Sequence, residues 1–325
     1  MMMRVLVAAA LLAVSALPGV APAHAQNYPN RPIKVVVPFP PGGPTDGMAR
    51  IISDRLHAVL GQPIVVENRG GAGGGIGGKF VADADPDGYT LLMTPGGALT
   101  TGPLVNPNIG YDPVKVFTAV AELIETPQII SVRPDLPAKS LADVVAYAKA
   151  NPGKLKWGMQ GFGTGPHLFA EMFKLDTGIN MLIVPYRGTG PLLNAILADE
   201  VQILVDPSTT SLPFIQAGKL RPIAIAGAER YAKLPEVPTT IEAGFPKLQN
   251  PFWLAVVAPA ATPRDIINKL NNAFRQALAV PDTRERLAAL GAEIKIGTPQ
   301  DLDKMLAADR TRWAPVIEAA HIKVE

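Results

Sequence analysis

Apolar and polar residues along the chain alternate between two patterns. Short continuous apolar runs, such as IKVVVPF over residues 33–39, are typical of strands buried on both faces of a parallel sheet. Between them lie segments with a single apolar helical face, such as TDGMARIISDRLHAVLG, where we expect Thr45 to cap the helix and Gly61 to end it. The alternation predicts an α/β fold with doubly wound sheets.

A second series of such units begins after AELIETPQIISVRPDLP, residues 121–137. Its strand patterns lie in LKWGM, MLIVPY, VQILVD and LRPIAIAG, and capping-box patterns begin helices at Ser140–Asp143 and Thr298–Asp301. Two further helices are predicted over residues 263–279 and 282–290. We therefore expect two lobes around a ligand cleft, one built from residues 26–125 with 227–325 and the other from residues 126–226.

The first residues have the pattern of a secretory signal peptide. Arg4 precedes the apolar run VLVAAALLAVSAL, and Ala23–His24–Ala25 is an A-x-A cleavage pattern. The run is about half of the ~20 residues that a membrane-spanning helix needs. Residues 1–25 are therefore expected to be removed near Ala25, which predicts a periplasmic mature protein.

Composition narrows the classes of function. The chain has no cysteine, which excludes disulfides and thiolate sites, and its 30 basic and 28 acidic residues nearly balance. A net charge this close to zero gives no strong electrostatic attraction to nucleic acid or to an anionic membrane. The three histidines outside the signal peptide have no metal-ligand spacing, and neither H-E-x-x-H nor G-x-S-x-G occurs. The sequence predicts no metal, no cofactor and no catalytic residue, although spacing alone does not exclude a Ser-His-Asp triad.

The stretch NRGGAGGGIGGK, residues 68–79, satisfies G-x-G-x-x-G at Gly73, Gly75 and Gly78. A dinucleotide site also needs an acidic residue at the end of the next strand, and YTLLMTPGG has none. The motif also follows the second predicted strand rather than the first. We therefore interpret the glycines as a turn that lets a helix approach the sheet closely.

The loop PFPPGGPTD, residues 38–46, has the chemistry of an anion site. Gly42 and Gly43 present backbone amides just before a helix N-terminus, where unpaired N–H groups and the helix dipole favour a carboxylate. Asp46 has two interpretations. It is either an ordinary first-turn acid or an acceptor for a donor group on the ligand.

Two loops in the second series have matching chemistry. QGFGTGPHLF places Gly163 and Thr164 before a helix, and His167 faces either the ligand or the helix surface. VPYRGTGPLL is again strand, turn and helix, with four candidate residues from 186 to 189 in its turn. Asp206 ends the strand pattern VQILVD and is a further candidate for ligand contact.

In this order the segments resemble the Bug family of extracytoplasmic solute receptors, the substrate-binding proteins of tripartite tricarboxylate transporters. The resemblance rests on the blocks YPNRPIKVVVPFPPGGPTDGMAR, LGQPIVVENRGGAGGGIGG, DADPDGYTLL, HLFAEMF, VPYRGTGP, IQAGKLRPIAI, LPEVPTTIEAGFP and WLAVVAPAATP. It implies a bilobal periplasmic-binding-protein-like fold of type II, and a small carboxylate ligand such as a dicarboxylate, an amino acid or an aromatic acid. It also implies membrane transporter components as partners of a monomeric receptor. Thr164 departs from the serine that many relatives have near this position.

The predicted function is capture of a small carboxylate by closure of the cleft, followed by delivery to a membrane transporter or sensor. The alternative is an exported enzyme acting on a small organic acid, with Asp46, His167 or Asp206 as its base. The predicted ligand-binding residues are Phe39, Pro41, Gly42, Gly43, Thr45, Asp46, Gly96, Gly163, Thr164, His167, Tyr186, Arg187, Gly188, Thr189 and Asp206.

Overall fold

The computed structural model describes residues 28–106 and 109–322, which form two mixed β-sheets covered by helices. The predicted signal peptide, residues 1–25, lies outside the described residues. Within the described part, no helix combines the length and the apolar character needed to cross a bilayer. The bilobal α/β prediction is confirmed by the two sheets and by the similar structures reported below.

The strands of the described part fall into a six-stranded and a five-stranded sheet. In chain order they are β1 (Ile33–Val37), β2 (Ile64–Asn68), β3 (Thr90–Pro95), β4 (Phe117–Thr126), β5 (Gln128–Val132), β6 (Lys156–Met159), β7 (Leu182–Pro185), β8 (Ile203–Pro207), β9 (Arg221–Ile225), β10 (Phe252–Pro259) and β11 (Glu293–Ile294). The first sheet has the order β11-β4-β10-β3-β1-β2 and the second β7-β6-β8-β5-β9. In the first, β1 pairs in parallel with β2 and β3, whereas β10 runs antiparallel to both β3 and β4.

The helices connect and cover these strands. In chain order they are α1 (Pro44–Leu60), α2 (Gly75–Ala82), α3 (Gly97–Thr100), α4 (Gly102–Val105), α5 (Pro113–Val116), α6 (Leu141–Ala150), α7 (Gly165–Thr177), α8 (Thr189–Leu197), α9 (Ser208–Gln216), α10 (Arg264–Ala279), α11 (Pro281–Ala289) and α12 (Pro299–Ala319). A 3₁₀ turn at Ala72–Gly74 precedes α2.

Helix α1 begins at Pro44, before the residue Thr45 that the sequence predicted as its cap. Its N-cap is Gly43 and no side chain caps it, so the predicted capping role of Thr45 is wrong. Pro44 occupies the first turn, where its preset φ suits a helix and its missing N–H costs nothing. Gly61 ends the helix as predicted, in the left-handed conformation at φ 68°, and its N–H bonds to the carbonyl oxygen of His57.

The two predicted capping boxes differ in detail. Thr298 and Asp301 form both reciprocal bonds at the start of α12, which confirms that prediction. Ser140 accepts from the Asp143 amide as expected, but the Asp143 carboxylate accepts from the amide of Lys139. Both arrangements satisfy amides that a helix start leaves without intrahelical partners.

Helix α12 packs on both lobes. Leu302, near its start, belongs to the core cluster of the first sheet around Leu92. Trp313 and Ile317, near its end, lie in the core of the second sheet with Trp157. The predicted division assigned this helix wholly to the first lobe. The boundaries near residues 126 and 227 remain a proposal, which the distribution of strands between the sheets supports.

The glycine stretch forms the tight connection between β2 and α2. Gly73 has φ 63° and Gly74 has φ 102°, values that favour glycine. A Cβ on Gly77 would lie 2.7 Å from Cβ of Pro38, so α2 approaches the end of β1 as closely as backbone allows. These glycines permit close packing, and none of them lines the cleft described next.

Candidate ligand-binding site

A cleft of about 100 Å³ lies between the two sheets, at the ends of their strands. The N-termini of three helices, α1, α7 and α8, meet there. The first lobe contributes Phe39, Pro41, Gly43 and Thr45, and the second contributes Thr164, Arg187, Gly188 and Thr189, all of them predicted from the sequence. Much of the remaining wall is proline, so the cleft is largely apolar with polar groups at defined points.

The helix starts explain the anion chemistry of this cleft. Each of the three helices has eight or more residues: α1 begins at Pro44 after Gly43, α7 begins at Gly165, and α8 begins at Thr189 after Gly188. The first amides of a helix have no intrahelical acceptor, and the helix dipole makes that end positive. Three such ends around one small volume favour a bound anion.

The Gly42 amide is not available to a ligand. Gly42 has φ 82° and its N–H donates to Oδ2 of Asp46 at 2.9 Å. Arg50 also pairs with Asp46, with Nη2 2.9 Å from Oδ1. Burial raises the pKa of Asp46, but the bonds from Arg50 and Gly42 outweigh it and lower the pKa overall. Asp46 lies in the first helical turn, as one interpretation expected, and also braces the loop, a role that neither interpretation included. Neither Gly42 nor Asp46 lines the cleft.

Three hydroxyl groups expected to meet the ligand are engaged within the protein. Thr164 donates to the carbonyl oxygen of Gly161 at 2.7 Å, and Thr189 donates to Oδ1 of Asp206 at 3.0 Å. Tyr186 donates to Glu200 and lies outside the cleft lining. Backbone amides and Arg187 are among the donors that remain for a ligand on the cleft lining.

Asp206 lies beneath the cleft and is fully buried. Its carboxylate accepts from Gln160 at 2.8 Å and from Thr189, and on its other oxygen from Thr210 and Ser211. Burial raises the pKa of Asp206 to about 6, although these four bonds act to lower it. The residue positions Gln160 and Thr189 and does not itself line the cleft.

His167 is not on the helix surface, so that alternative is wrong, and it does not line the cleft either. Its side chain is buried in α7, and Nδ1 accepts from the Gly163 amide at 3.2 Å. Burial and the nearby charge of Lys174 lower the pKa of His167 to about 4, with Glu171 Oε1 3.9 Å from Nε2. The neutral ring acts as an acceptor that shapes the loop before α7.

Arg187 is the charged residue on the cleft lining within the described chain. Its side chain is exposed, and no ion pair with it occurs among the described residues. A guanidinium at the rim attracts a carboxylate at long range and binds it with two parallel hydrogen bonds.

Gly96 and Gly163 occupy the edges of the site. Gly96 lies in a smaller chamber of about 40 Å³ that adjoins the cleft, and a Cβ there would overlap the ring of Trp253. Gly163 has φ 74° and accepts a hydrogen bond from Thr101 of the first lobe. Neither residue lines the main cleft.

Among the lining residues that sequence reasoning missed are two glutamines and an aromatic residue: Gln128, Gln160 and Phe252. Gln128 and Phe252 begin strands rather than follow them, so the rule about carboxyl ends of strands does not find them. Gln160 directly follows β6, so the same rule could have found it. Among the described residues there is no group of three or more acidic or histidine side chains arranged to hold a metal ion.

The fold and the cleft define a two-lobed solute-binding receptor. A family model described as TctC, tripartite tricarboxylate transporter family receptor, matches residues 48–322. Protein BugT of Bordetella pertussis is 38% identical over 306 residues, which cover 94% of each chain.

Two solved structures are similar over almost their whole length. One is R. palustris Rpa4515 with adipate, at 37% identity and a TM-score of 0.87, covering 91% of this chain and 99% of that one. The other is MatC from Rhodopseudomonas palustris with bound malate, at 36% identity and a TM-score of 0.85, covering 89% of this chain and 100% of that one. The chain belongs to the tripartite tricarboxylate transporter receptor family, as the sequence resemblance indicated.

Proposed function

We propose that this receptor binds a small organic carboxylate in the cleft between its lobes. The observation that carries the proposal is the convergence of three helix N-termini and Arg187 on one largely apolar cavity. Backbone amides at these ends hold a carboxylate without a paired basic side chain, and the prolines around them exclude water. The related proteins with adipate and malate support the same ligand class.

Binding is coupled to closure of the two lobes. In this structure the lobes touch beside the cleft, where the Thr101 hydroxyl donates to the Gly163 carbonyl oxygen at 2.6 Å. A Cβ on Gly97 would lie 3.1 Å from the Gly165 amide nitrogen, so the backbones also approach each other there. A ligand that touches both lobes binds this arrangement better than an open one and shifts the population toward it.

The receptor releases its ligand chemically unchanged. The three residues considered as catalytic bases are each engaged elsewhere: Asp46 by Arg50, His167 by the Gly163 amide, and Asp206 by four donors. A general base must reach the proton that it removes, and none of these groups lines the cleft. This arrangement favours binding without turnover over the enzyme alternative.

The ligand is delivered in the periplasm to membrane components of a tripartite transporter. This step rests on the family to which the chain belongs and on the signal-peptide pattern of residues 1–25. The receptor acts as a monomer in this scheme, because the cleft is formed by the two lobes of one chain.

Titration calorimetry with malate and adipate tests the proposed function. Each acid is compared with its neutral dimethyl ester, which keeps the carbon skeleton and removes the charge. We expect the acids to bind and to raise the melting temperature, since a ligand of the folded state stabilises it by mass action, and the esters to do neither. Mass spectrometry of the recovered ligand tests turnover, and any accumulating product would favour the enzyme alternative.

A further inference from the structure

The glycine stretch over residues 68–79 contains one glycine that faces the second lobe. A Cβ on Gly73 would lie 2.5 Å from the carbonyl oxygen of Phe162, in the loop that follows β6. For the other glycines of the stretch, the nearest atoms that a Cβ would meet belong to the first lobe. These glycines are Gly70, Gly71, Gly74, Gly75, Gly77 and Gly78. Gly73 therefore has a separate role, which the close packing of α2 does not explain.

The contact at Gly73 is made between two backbones. On the facing side, a Cβ on Gly161 would lie 3.7 Å from the Cα of Gly73, so no side chain separates the two segments there. A side chain yields by changing its rotamer, whereas backbone atoms move only with the segment that carries them. Ordinary contact distances for a Cβ are 3.4–4 Å, so one added methyl group would part the segments by roughly 1 Å.

The loop of Phe162 is anchored within its own lobe. The hydroxyl of Thr164 donates to the Gly161 carbonyl oxygen at 2.7 Å. The Gly163 amide donates to Nδ1 of the buried His167 at 3.2 Å. Moving the Phe162 carbonyl group would strain or break these bonds. The loop therefore transmits the contact to the rest of the lobe instead of absorbing it.

Both partners of the contact lie directly beside the walls of the cleft. In the second lobe, Gln160 and Thr164 flank the contacting residues and line the cleft. In the first lobe, a Cβ on Gly74 would lie 3.6 Å from the ring of Phe39, another lining residue. The separation of the backbones at this contact therefore fixes the distance between the two walls.

We propose that Gly73 is the closure stop of this receptor: the second lobe closes until the Phe162 carbonyl oxygen reaches it, and the stop sets the length of the carboxylate that the closed cleft accepts. A longer ligand holds the lobes apart at the stop, and a shorter one leaves one wall without contact. Both lose part of the differential affinity for the closed form that drives closure. This inference rests on the proposed carboxylate-binding function and specifies which ligands it selects.

Gly73→Ala tests the stop. Gly73 has φ 63°, a left-handed conformation that costs alanine some stability wherever it occurs. The matched control is Gly178→Ala at the end of α7, where φ is 66° and no neighbouring atom lies within 4 Å of the added Cβ. Thermal unfolding of the ligand-free variants should therefore show similar losses in melting temperature. Asparagine adopts this conformation more readily, so it replaces alanine at both positions if Gly73→Ala does not fold.

Two homologous series of acids measure the effect. Dissociation constants are determined by calorimetry for malonate, succinate, glutarate, adipate and pimelate, and for the monocarboxylates from butanoate to octanoate. For the acid that the wild type binds best, we expect Gly73→Ala to lose roughly tenfold in affinity, because a single methylene of misfit has an effect of this size. The acid one methylene longer should lose less, so the preferred length increases. Gly178→Ala should keep the wild-type profile.

The outcomes separate the stop from the proposed function. A length profile of Gly73→Ala that coincides with that of Gly178→Ala would overturn the stop and leave the carboxylate receptor standing. An equal loss for every chain length would overturn it as well, since a displaced wall must favour longer ligands. If the wild type binds no acid of either series, the proposed function and the stop fall together.

Discussion

The hydroxyl of Thr101 donates to the carbonyl oxygen of Gly163 at 2.6 Å, and this buried bond joins the first lobe to the second. The same hydroxyl also lies 3.1 Å from the carbonyl oxygen of Gly97 in its own lobe. Because the bond joins the two lobes, we expect it to contribute to the free energy of their closure.

Thr101→Val should weaken ligand binding. Valine keeps the shape of the side chain and removes the bond, whose net contribution implies roughly a two- to tenfold loss of affinity. The ligand-free protein should keep its melting temperature. Calorimetry with the best-binding carboxylate measures the change. Thr177→Val removes a hydroxyl bond inside α7 and serves as the control, and equal losses in the two variants would contradict a role in closure.

Gly43→Val should abolish ligand binding and leave the fold intact. Gly43 has φ −81° and ψ 173°, an extended conformation that a β-branched residue before proline adopts readily. Its Cβ would meet no protein atom nearer than 3.7 Å, so the added methyl groups enter the cleft. Gly47→Ala, in the same helix turn but off the cleft lining, is the matched control. Unchanged affinity in Gly43→Val would rule out the proposed position of the ligand.

Arg187→Gln should weaken carboxylate binding and reduce its dependence on salt. The guanidinium is at the exposed rim, where its attraction to an anion is screened over a Debye length of about 8–10 Å. We expect roughly a fivefold loss of affinity at low salt and a smaller one at high salt. Arg284→Gln removes an equal charge from exposed surface of α11, away from the cleft. The same salt dependence in both variants would exclude a direct contact.

Asp206→Asn should change how stability depends on pH. Burial raises the pKa of Asp206 from 3.8 to about 6, so folding favours its protonated form. The protonated carboxyl group therefore adds to the free energy of unfolding. This contribution is complete below pH ~4 and is lost as the pH rises through about 6, which lowers the free energy of unfolding by roughly 3 kcal/mol. Urea unfolding from pH 4 to 7 should therefore show the wild type losing stability relative to the variant. Asp85→Asn, at an exposed position, should run parallel to the wild type.

His167→Asn should also change how stability depends on pH between pH 4 and 7, but in the opposite direction. Burial lowers the pKa of His167 from 6.5 to about 4, so folding favours the neutral ring. The contribution of the neutral ring to the free energy of unfolding is complete above pH ~6.5 and is lost as the pH falls through about 4. Asparagine retains an acceptor for the Gly163 amide. The variant should therefore lose less stability on acidification than the wild type, while His321→Asn, at an exposed position, should lose as much. A parallel curve for His167→Asn would refute the buried neutral ring.

The sequence by itself determined the elements and their order. The apolar run of β1, the single apolar face of α10 and the capping box at Thr298 depend on neighbours in the chain, and the structure contains each of them. The loops that line the cleft were also found, because the strand-turn-helix pattern is local and parallel strands place such loops at one edge of the sheet.

Only the tertiary structure decided which side chains are free to meet a ligand. Thr189 looks available in the sequence, yet its hydroxyl bonds to Asp206, which lies 17 residues away. Gln128 and Asn250 attract no attention in the sequence and are brought together across 122 residues. A hydrogen bond depends on distances of a few tenths of an ångström, and such distances are set by the packing of the whole molecule, not by the pattern along the chain.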